Sequence, residues 1–150
     1  MGLEPDSLRE SALPQPEIRS LAPATDIALR QLVSRYCDAV VRRDADDFAA
    51  LWAPDGVWNP GKPVAGRDAV KAAFERVVRG FTWLVQSAPN AVFEVDEAAG
   101  AGTGRVTITE QYKRTKGVNG ALVGVYHDRY VRQGGNWLFA ERRLEVIDAS

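Results

Sequence analysis

The chain has little of what builds metal and redox sites. Its 150 residues include one cysteine, Cys37, and one histidine, His127. A lone cysteine forms no internal disulfide, and one cysteine with one histidine cannot complete a Cys/His zinc site. No metal and no cofactor is expected. No run approaches the roughly 18 apolar residues of a membrane span, so no membrane partner is expected either. Neither sign of charge dominates. Lys and Arg number 19 against 20 Asp and Glu, a net charge of -1, which excludes an electrostatic nucleic-acid binder. The opening segment, Met1 to Glu17, is acidic, broken by prolines and without an apolar stretch. It does not read as a secretory signal, and a cytoplasmic protein is expected.

What is present is ordinary globular composition, 45% hydrophobic and 26% charged, in a length that suits one domain. Residues 1–24 hold Pro5, Pro14, Pro16 and Pro23 without periodicity and read as an extended or disordered arm. Leu8, Leu13, Ile18 and Leu21 would anchor it if it folded over a pocket or a partner subunit. Residues 25–150 form the domain. Leu29, Leu32, Val33, Tyr36, Cys37 and Val40 make one helical stripe, predicting an amphipathic helix over 25–43 with Thr25 as its N-cap. Asp44 to Asp47 open a short second helix running to Trp52. Pro54-Asp55-Gly56 reads as a turn, Val57-Trp58 as a short strand, and a third helix starts at an Asp68 cap.

Strands are then predicted at 81–86, 91–97, 103–113, 121–132 and 137–148. Helices first and an antiparallel sheet after make the class α+β. Two dipeptides set the expected registers. Asn119-Gly120 is the favoured two-residue hairpin turn, pairing Val118 with Ala121; Gly134-Gly135 pairs Gln133 with Asn136. Extended along the strands, these registers put Val106, Ile108, Glu110, Tyr112, Val123, Val125, His127, Arg129, Val131, Leu138, Ala140, Arg142, Leu144 and Val146 on one face. That face is apolar around a central polar cluster. In it Tyr112 lies opposite His127, His127 opposite Arg142, and Glu110 opposite Arg129. The other face, with Tyr126, Tyr130, Trp137 and Phe139, is expected to form a homodimer interface.

An apolar wall with a few convergent polar groups is the pattern of a small-molecule pocket. The competing reading is a structural network in which Glu110, His127, Arg129 and Arg142 neutralise one another. Tyr36 is either a core tyrosine or a donor into the pocket. Asp44 is either a helix cap or a pocket carboxylate. Asn59 suits turn chemistry. Trp52, Trp58 and Trp83 are core residues first and ligand-stacking candidates second.

Three stretches carry a resemblance: Ser34 to Val40, Asp44 to Trp58, and Gly66 to Val70. With the ending Tyr126 to Arg132 and Gly135 to Leu144, they resemble the SnoaL-like branch of the nuclear transport factor 2-like superfamily, over about residues 25 to 148. The resemblance implies a cone of N-terminal helices on a curved antiparallel sheet, enclosing one pocket and usually dimeric. Relatives such as ketosteroid isomerase, scytalone dehydratase and polyketide cyclases use pocket acids and bases without a redox cofactor. Tyr36 matches the isomerase's helix-one donor and His127 falls near its second donor, while Asn59 stands where that enzyme has its base aspartate. Asp44 matches the aspartate of an Asp-His dyad whose histidine would lie near Gln86 or Ser87.

The expected function is a cofactor-independent dehydratase, isomerase or cyclase acting on a mainly apolar ring compound with a carbonyl or hydroxyl group. His127, Asp44, Tyr36 and Glu110 are the expected catalytic residues. Tyr112, Arg129, Arg142, Trp52, Trp58, Asn59, Trp83 and Gln86 are the expected ligand contacts. The alternatives are a small-molecule-binding protein without chemistry, an epoxide hydrolase-like hydration using carboxylates beside an arginine, and a protein-interaction module.

Overall fold

A computed structural model describes residues 21–150. The expected arm therefore lies almost wholly outside the described residues. Helix α1 spans Pro23–Arg42 and buries Leu29, Leu32, Val33, Tyr36 and Val40, the stripe its periodicity predicts. It begins two residues earlier than expected. Ala22 occupies the N-cap with no side-chain bond, Pro23 supplies a preset φ in the first turn, and Thr25 is buried rather than capping. Helix α2, Ala45–Ala50, follows directly, and Asp44 caps it by accepting the Asp47 N–H at 2.9 Å.

Strand β1, Trp52–Asn59, absorbs the expected Pro54-Asp55-Gly56 turn as a bulge between Trp52 and Val57. A two-residue strand, β2 (Val64–Ala65), pairs with it. Helix α3, Arg67–Val78, is capped by Gly66 and not by Asp68, which sits in its first turn. Four long strands follow: β3 (Phe81–Asp96), β4 (Ala101–Arg114), β5 (Asn119–Gln133) and β6 (Asn136–Ala149). The two strands expected at 81–86 and 91–97 are one, with an irregularity between Ser87 and Asn90 around Pro89.

The sheet order is β2-β1-β6-β5-β4-β3. All pairs are antiparallel except β1 with β6, so the sheet is mixed. The helices and the sheet's inner face enclose an aromatic core of Tyr36, Phe48, Trp52, Trp58, Phe74, Tyr126, Tyr130 and Phe139. Phe48 and Phe74 stack at 3.9 Å between ring centres, tying α2 to α3. Each such side chain contributes about 1.5–3 kcal/mol by leaving water. The class is α+β, as expected.

The β4–β5 register differs from the expected one. The chain reverses through Thr115–Val118, with Gly117 at φ 92°, and Asn119-Gly120 already belongs to β5. Tyr112 is opposite Gly120, seven residues before the expected His127. An odd shift turns the whole strand over. Leu122, Gly124, Tyr126, Asp128 and Tyr130 face inward, while Val123, Val125, His127, Arg129 and Val131 face outward. Gly120 lies under Tyr112, whose ring carbons would stand 2.4 and 2.5 Å from a Cβ. This glycine makes room for a tyrosine and does not make a turn.

The β5–β6 hairpin starts in the expected register, Gln133 opposite Asn136. A bulge between Arg129 and Tyr130 then shifts it by one residue. Trp137 and Phe139 therefore point inward before the bulge, and Arg142 and Leu144 after it. Tyr126, Tyr130, Trp137 and Phe139, expected on the outer face, are core residues. The outer face carries Trp83, Val85, Val123, His127, Arg129 and Arg143, and none of the three described helices covers it.

Candidate functional site

The polar residues of the inner face form two connected groups. In the first, β5 and β6 place Asp128 opposite Arg142. Arg142 donates from Nε at 2.8 Å and from Nη2 at 3.0 Å to the two Asp128 oxygens, and both side chains are sealed from water. Tyr130 donates a third bond to Asp128 at 2.6 Å. The guanidinium carbon lies 4.3, 4.1 and 4.4 Å from the rings of Tyr36, Tyr126 and Phe139. Burial disfavours the charge on Arg142. The facing Asp128 carboxylate and the tyrosines outweigh that cost and hold the guanidinium protonated. Arg142 Nη1 is buried without a hydrogen-bond partner among the described residues.

Against this cation stand two hydroxyls. Tyr36 and Tyr126 share a hydrogen bond of 3.0 Å, and Trp58 Nε1 donates to the Tyr126 oxygen at 3.5 Å. Burial pushes both phenols above their ordinary range, with Arg142 opposing. They keep their protons and act as donors. Two hydroxyl hydrogens serve one bond between them, so one O–H is left over for a third group.

The second group joins three elements. Glu110 on β4 is the cross-strand partner of Gln86 on β3 and accepts from Gln86 Nε2 at 2.7 Å. The Gln86 Oε1 accepts from the Cys37 thiol of α1 at 3.8 Å. Burial raises the Glu110 carboxyl above its ordinary value and the Gln86 N–H pulls it back. Burial likewise pushes the Cys37 thiol up to about 11, which leaves it a thiol at neutral pH.

Past Glu110 the inner face carries partly exposed apolar side chains. Leu122 lies opposite it on β5, and Leu144 and Val146 follow Arg142 on the same face of β6. Leu122 and Leu144 are half-buried, and Val146 is 48% exposed. A cavity of about 860 Å³ lies elsewhere, beside the start of α1, lined by Leu21, Phe93, Val95, Gly102, Arg129 and Tyr130 among others.

The site residues expected from sequence divide accordingly. Tyr36, Glu110, Arg142, Trp58 and Gln86 gather on the inner side, with the fully buried Trp52 behind them. Tyr112 also faces inward, but its hydroxyl is spent on the Ser150 carbonyl at 2.9 Å. His127 is a correction: the odd register shift carries it to the outer face, opposite Arg105 and Arg143, where Glu145 binds its Nε2 at 2.6 Å. Arg129 goes with it and pairs with Glu141, not Glu110. Asp44 stays at the surface as a helix cap held by Asp47 N–H and Arg42. Asn59 accepts the Gly61 N–H at 3.2 Å, which is turn chemistry. Trp83 is 42% exposed on the outer side of β3. Among the described residues no cluster of His, Cys, Asp or Glu suits a metal ion, and no helix is long and apolar enough to cross a membrane.

Sequence reasoning missed Asp128, Tyr126 and Tyr130, all lost with the register. One signal pointed to them. Gly104 is opposite Asp128, and a Cβ there would stand 2.9 Å from the Tyr130 ring and hydroxyl. A glycine inside a strand marks a place where a large neighbour lies flat across the backbone.

The architecture recurs in solved structures. A Novosphingobium aromaticivorans protein named for scytalone dehydratase is 24% identical with a TM-score of 0.78, covering 85% of this chain and 87% of its own. The hexachlorocyclohexane dehydrochlorinase LinA-type3 of Novosphingobium barchaimii is 18% identical with a TM-score of 0.77, covering 85% and 89%. Rv3472 of Mycobacterium tuberculosis, a protein of unknown function, is 24% identical with a TM-score of 0.73, covering 82% and 76%. Identities this low show a shared fold. No curated protein sequence matches the chain. The model of the SnoaL-like domain matches residues 24–143, and the chain belongs to the SnoaL-like family.

Proposed function

We propose that the protein is a cofactor-independent acid/base enzyme acting on a small, mainly apolar ring compound that carries a carbonyl or hydroxyl group. The observation that carries this reading is Glu110: a carboxyl on the inner face, half-shielded, given one amide partner and, among the described residues, no cation, beside the partly exposed Leu122. Such a group takes up a proton more readily than an ion-paired one. Glu110 takes a proton from carbon. The spare O–H of the Tyr36–Tyr126 pair donates a hydrogen bond to the oxygen on which charge develops, and Arg142 behind the rings stabilises that charge. Two of the fold relatives bear the names of elimination enzymes, a dehydratase and a dehydrochlorinase. The same chemistry here is loss of water from the ring compound, the departing hydroxyl leaving with the proton that Glu110 has taken, or migration of a double bond, in which Glu110 returns that proton to another carbon.

Glu110→Gln, tested on a panel of cyclic hydroxy-ketones by turnover and by solvent deuterium exchange, is expected to lose about 10²–10⁴-fold. A loss below tenfold sinks the assignment. Tyr126→Phe is expected to cost about 10²-fold, the range of one removed oxyanion donor.

The second reading is ligand binding without chemistry. It is favoured by the separation of Asp44 and His127, neither of which faces the inner cluster. Binding of a panel compound with neither exchange nor turnover decides for it. Hydration of an epoxide by carboxylates flanking an arginine is disfavoured, because Asp128 already neutralises Arg142 and Asp44 is at the surface. A homodimer through the uncovered outer face remains part of the proposal, now resting on Trp83, Val85 and Val123.

A further inference from the structure

We propose that Gln86 is a positioning residue for Glu110, and that the Cys37 thiol sets the direction in which its amide works. The inference rests on Glu110 being the acid/base group only for its catalytic consequence; its physical content stands apart from turnover.

A primary amide has two orientations, related by a half-turn, that exchange a two-donor end for an acceptor end. Gln86 is buried between two neighbours of opposite character, 5% exposed. On one side Glu110, when ionised, only accepts. On the other side Cys37 offers a weak S–H donor and a sulfur that accepts poorly. Only one orientation satisfies both: nitrogen to Glu110 Oε2 at 2.7 Å, oxygen to Cys37 Sγ at 3.8 Å. In the reversed orientation the amide oxygen faces Glu110 and demands a protonated carboxyl. The amide nitrogen then faces a sulfur that gives it little in return. The thiol therefore biases the amide toward serving the carboxylate. Without it, burial favours the flipped amide and the protonated acid together.

The arrangement also fixes where the carboxylate points. Gln86 and Glu110 are direct partners across β3 and β4, so the sheet sets their separation. Oε2 is the oxygen engaged among the described residues, which leaves Oε1 for a substrate. The other titratable groups around Glu110 are Tyr36 and Cys37 on α1 and Tyr126 on β5, all raised in part by its charge, with Arg142 of β6 among the tyrosines. The tyrosines stay neutral and Arg142 stays charged across the ordinary pH range. The protonation of Glu110 is therefore set by burial, which raises it, and by the amide, which lowers it, and not by a competing titration.

The test is the Glu110 titration itself, read by carboxyl carbon NMR on protein labelled at glutamate, with Glu110→Gln identifying the signal. Gln86→Leu removes the donor and is expected to raise the midpoint by about one to two pH units, the worth of a hydrogen bond to a charged group. Cys37→Ala frees the amide to flip and is expected to raise the midpoint in the same direction by less. Cys37→Ser supplies a stronger donor and is expected to leave the midpoint in place or lower it. An unmoved midpoint in Gln86→Leu overturns the proposal. So does a Cys37→Ser midpoint raised as far as that of Cys37→Ala. The two cysteine variants are mild and keep the test available if Gln86→Leu fails to fold. The acid limb of the turnover profile should move with the midpoint. If the midpoint moves and the limb does not, Glu110 is not the working carboxyl and the proposed reaction fails, while the positioning role stands.

Discussion

Asp128→Asn probes the interior most directly. The substitution keeps the shape of the side chain and removes its charge. Arg142 cannot follow by losing its own proton, since a guanidinium stays charged in proteins. It is left as a sealed cation among Tyr36, Tyr126 and Phe139. The ring faces offset part of the loss, and cation–π attraction is worth about 2 kcal/mol when desolvated. The new amide also has one oxygen to meet three donors, two from Arg142 and one from Tyr130. Breaking a buried pair from one side costs about 3–5 kcal/mol, against a total stability of about 5–15 kcal/mol. At about 2–4 °C per kcal/mol for a domain of this size, Tm should fall by roughly 6–20 °C. Thermal and urea unfolding read by tryptophan fluorescence measure it, since Trp52 and Trp58 lie in the core. The double variant Asp128→Leu with Arg142→Met removes both charges and should recover most of the loss. A cost below about 1 kcal/mol for Asp128→Asn is what a hydrated surface pair gives, and it would refute Arg142 as a sealed cation behind Tyr126.

Three further outcomes follow from the same geometry. Because burial raises the Glu110 carboxyl, the folded state holds that proton more tightly than the unfolded chain. The associated stability is fully present below the ordinary carboxylate value of about 4.3 and is lost as pH rises through the folded value. Glu110→Gln should therefore gain stability relative to the parent as pH rises from about 4 toward neutrality; parallel urea midpoints across that window would contradict it. Gly104→Ala sets a Cβ 2.9 Å from Phe93 Cδ1 and from the Tyr130 ring and hydroxyl. Overpacking of that kind costs about 1–3 kcal/mol, and an unchanged urea midpoint would show that Tyr130 does not cross the strand there. His127→Ala removes a partly exposed pair on the outer face. It should change stability by less than about 1 kcal/mol and leave turnover intact, so a tenfold loss of activity would return His127 to the inner side.

The helices were legible because a stripe at helical spacing has one interpretation. Leu29, Leu32, Val33, Tyr36 and Val40 leave no other buried face for α1. The register of β5 was not legible, because both of its faces are apolar enough to pass. Val123 and Val125 alternate as cleanly as Leu122, Gly124 and Tyr126, yet the valines face outward. With alternation undecided, the turn dipeptide decided, and Asn119-Gly120 was misleading. The glycine there is required by the ring of Tyr112, while Gly117 takes the left-handed conformation that reverses the chain. One dipeptide misread by an odd number of residues exchanged His127 and Arg129 for Tyr126, Asp128 and Tyr130. Arg142 nevertheless falls inside, because β6 keeps its expected face beyond the bulge after Arg129.

The register error also hid why Glu110 is available. Two carboxyls face inward from the middle strands, Glu110 on β4 and Asp128 on β5, and one cation faces them from β6. In the expected register Glu110 lies opposite Arg129, and neutralisation by that arginine competes with a catalytic role. In the structure Asp128 takes Arg142 with two bonds and is itself locked by Tyr130. All three of those bonds go to side chains of the inner wall. Glu110 is left with an amide, which supports its charge without cancelling it. The same inner wall thus separates two tasks. In the proposed reaction the Asp128–Arg142 pair polarises the tyrosines from behind, and Glu110 is the carboxyl that gains and loses the proton. Asp128→Asn should disturb the first task while leaving the Glu110 titration nearly in place, and Gln86→Leu should do the reverse.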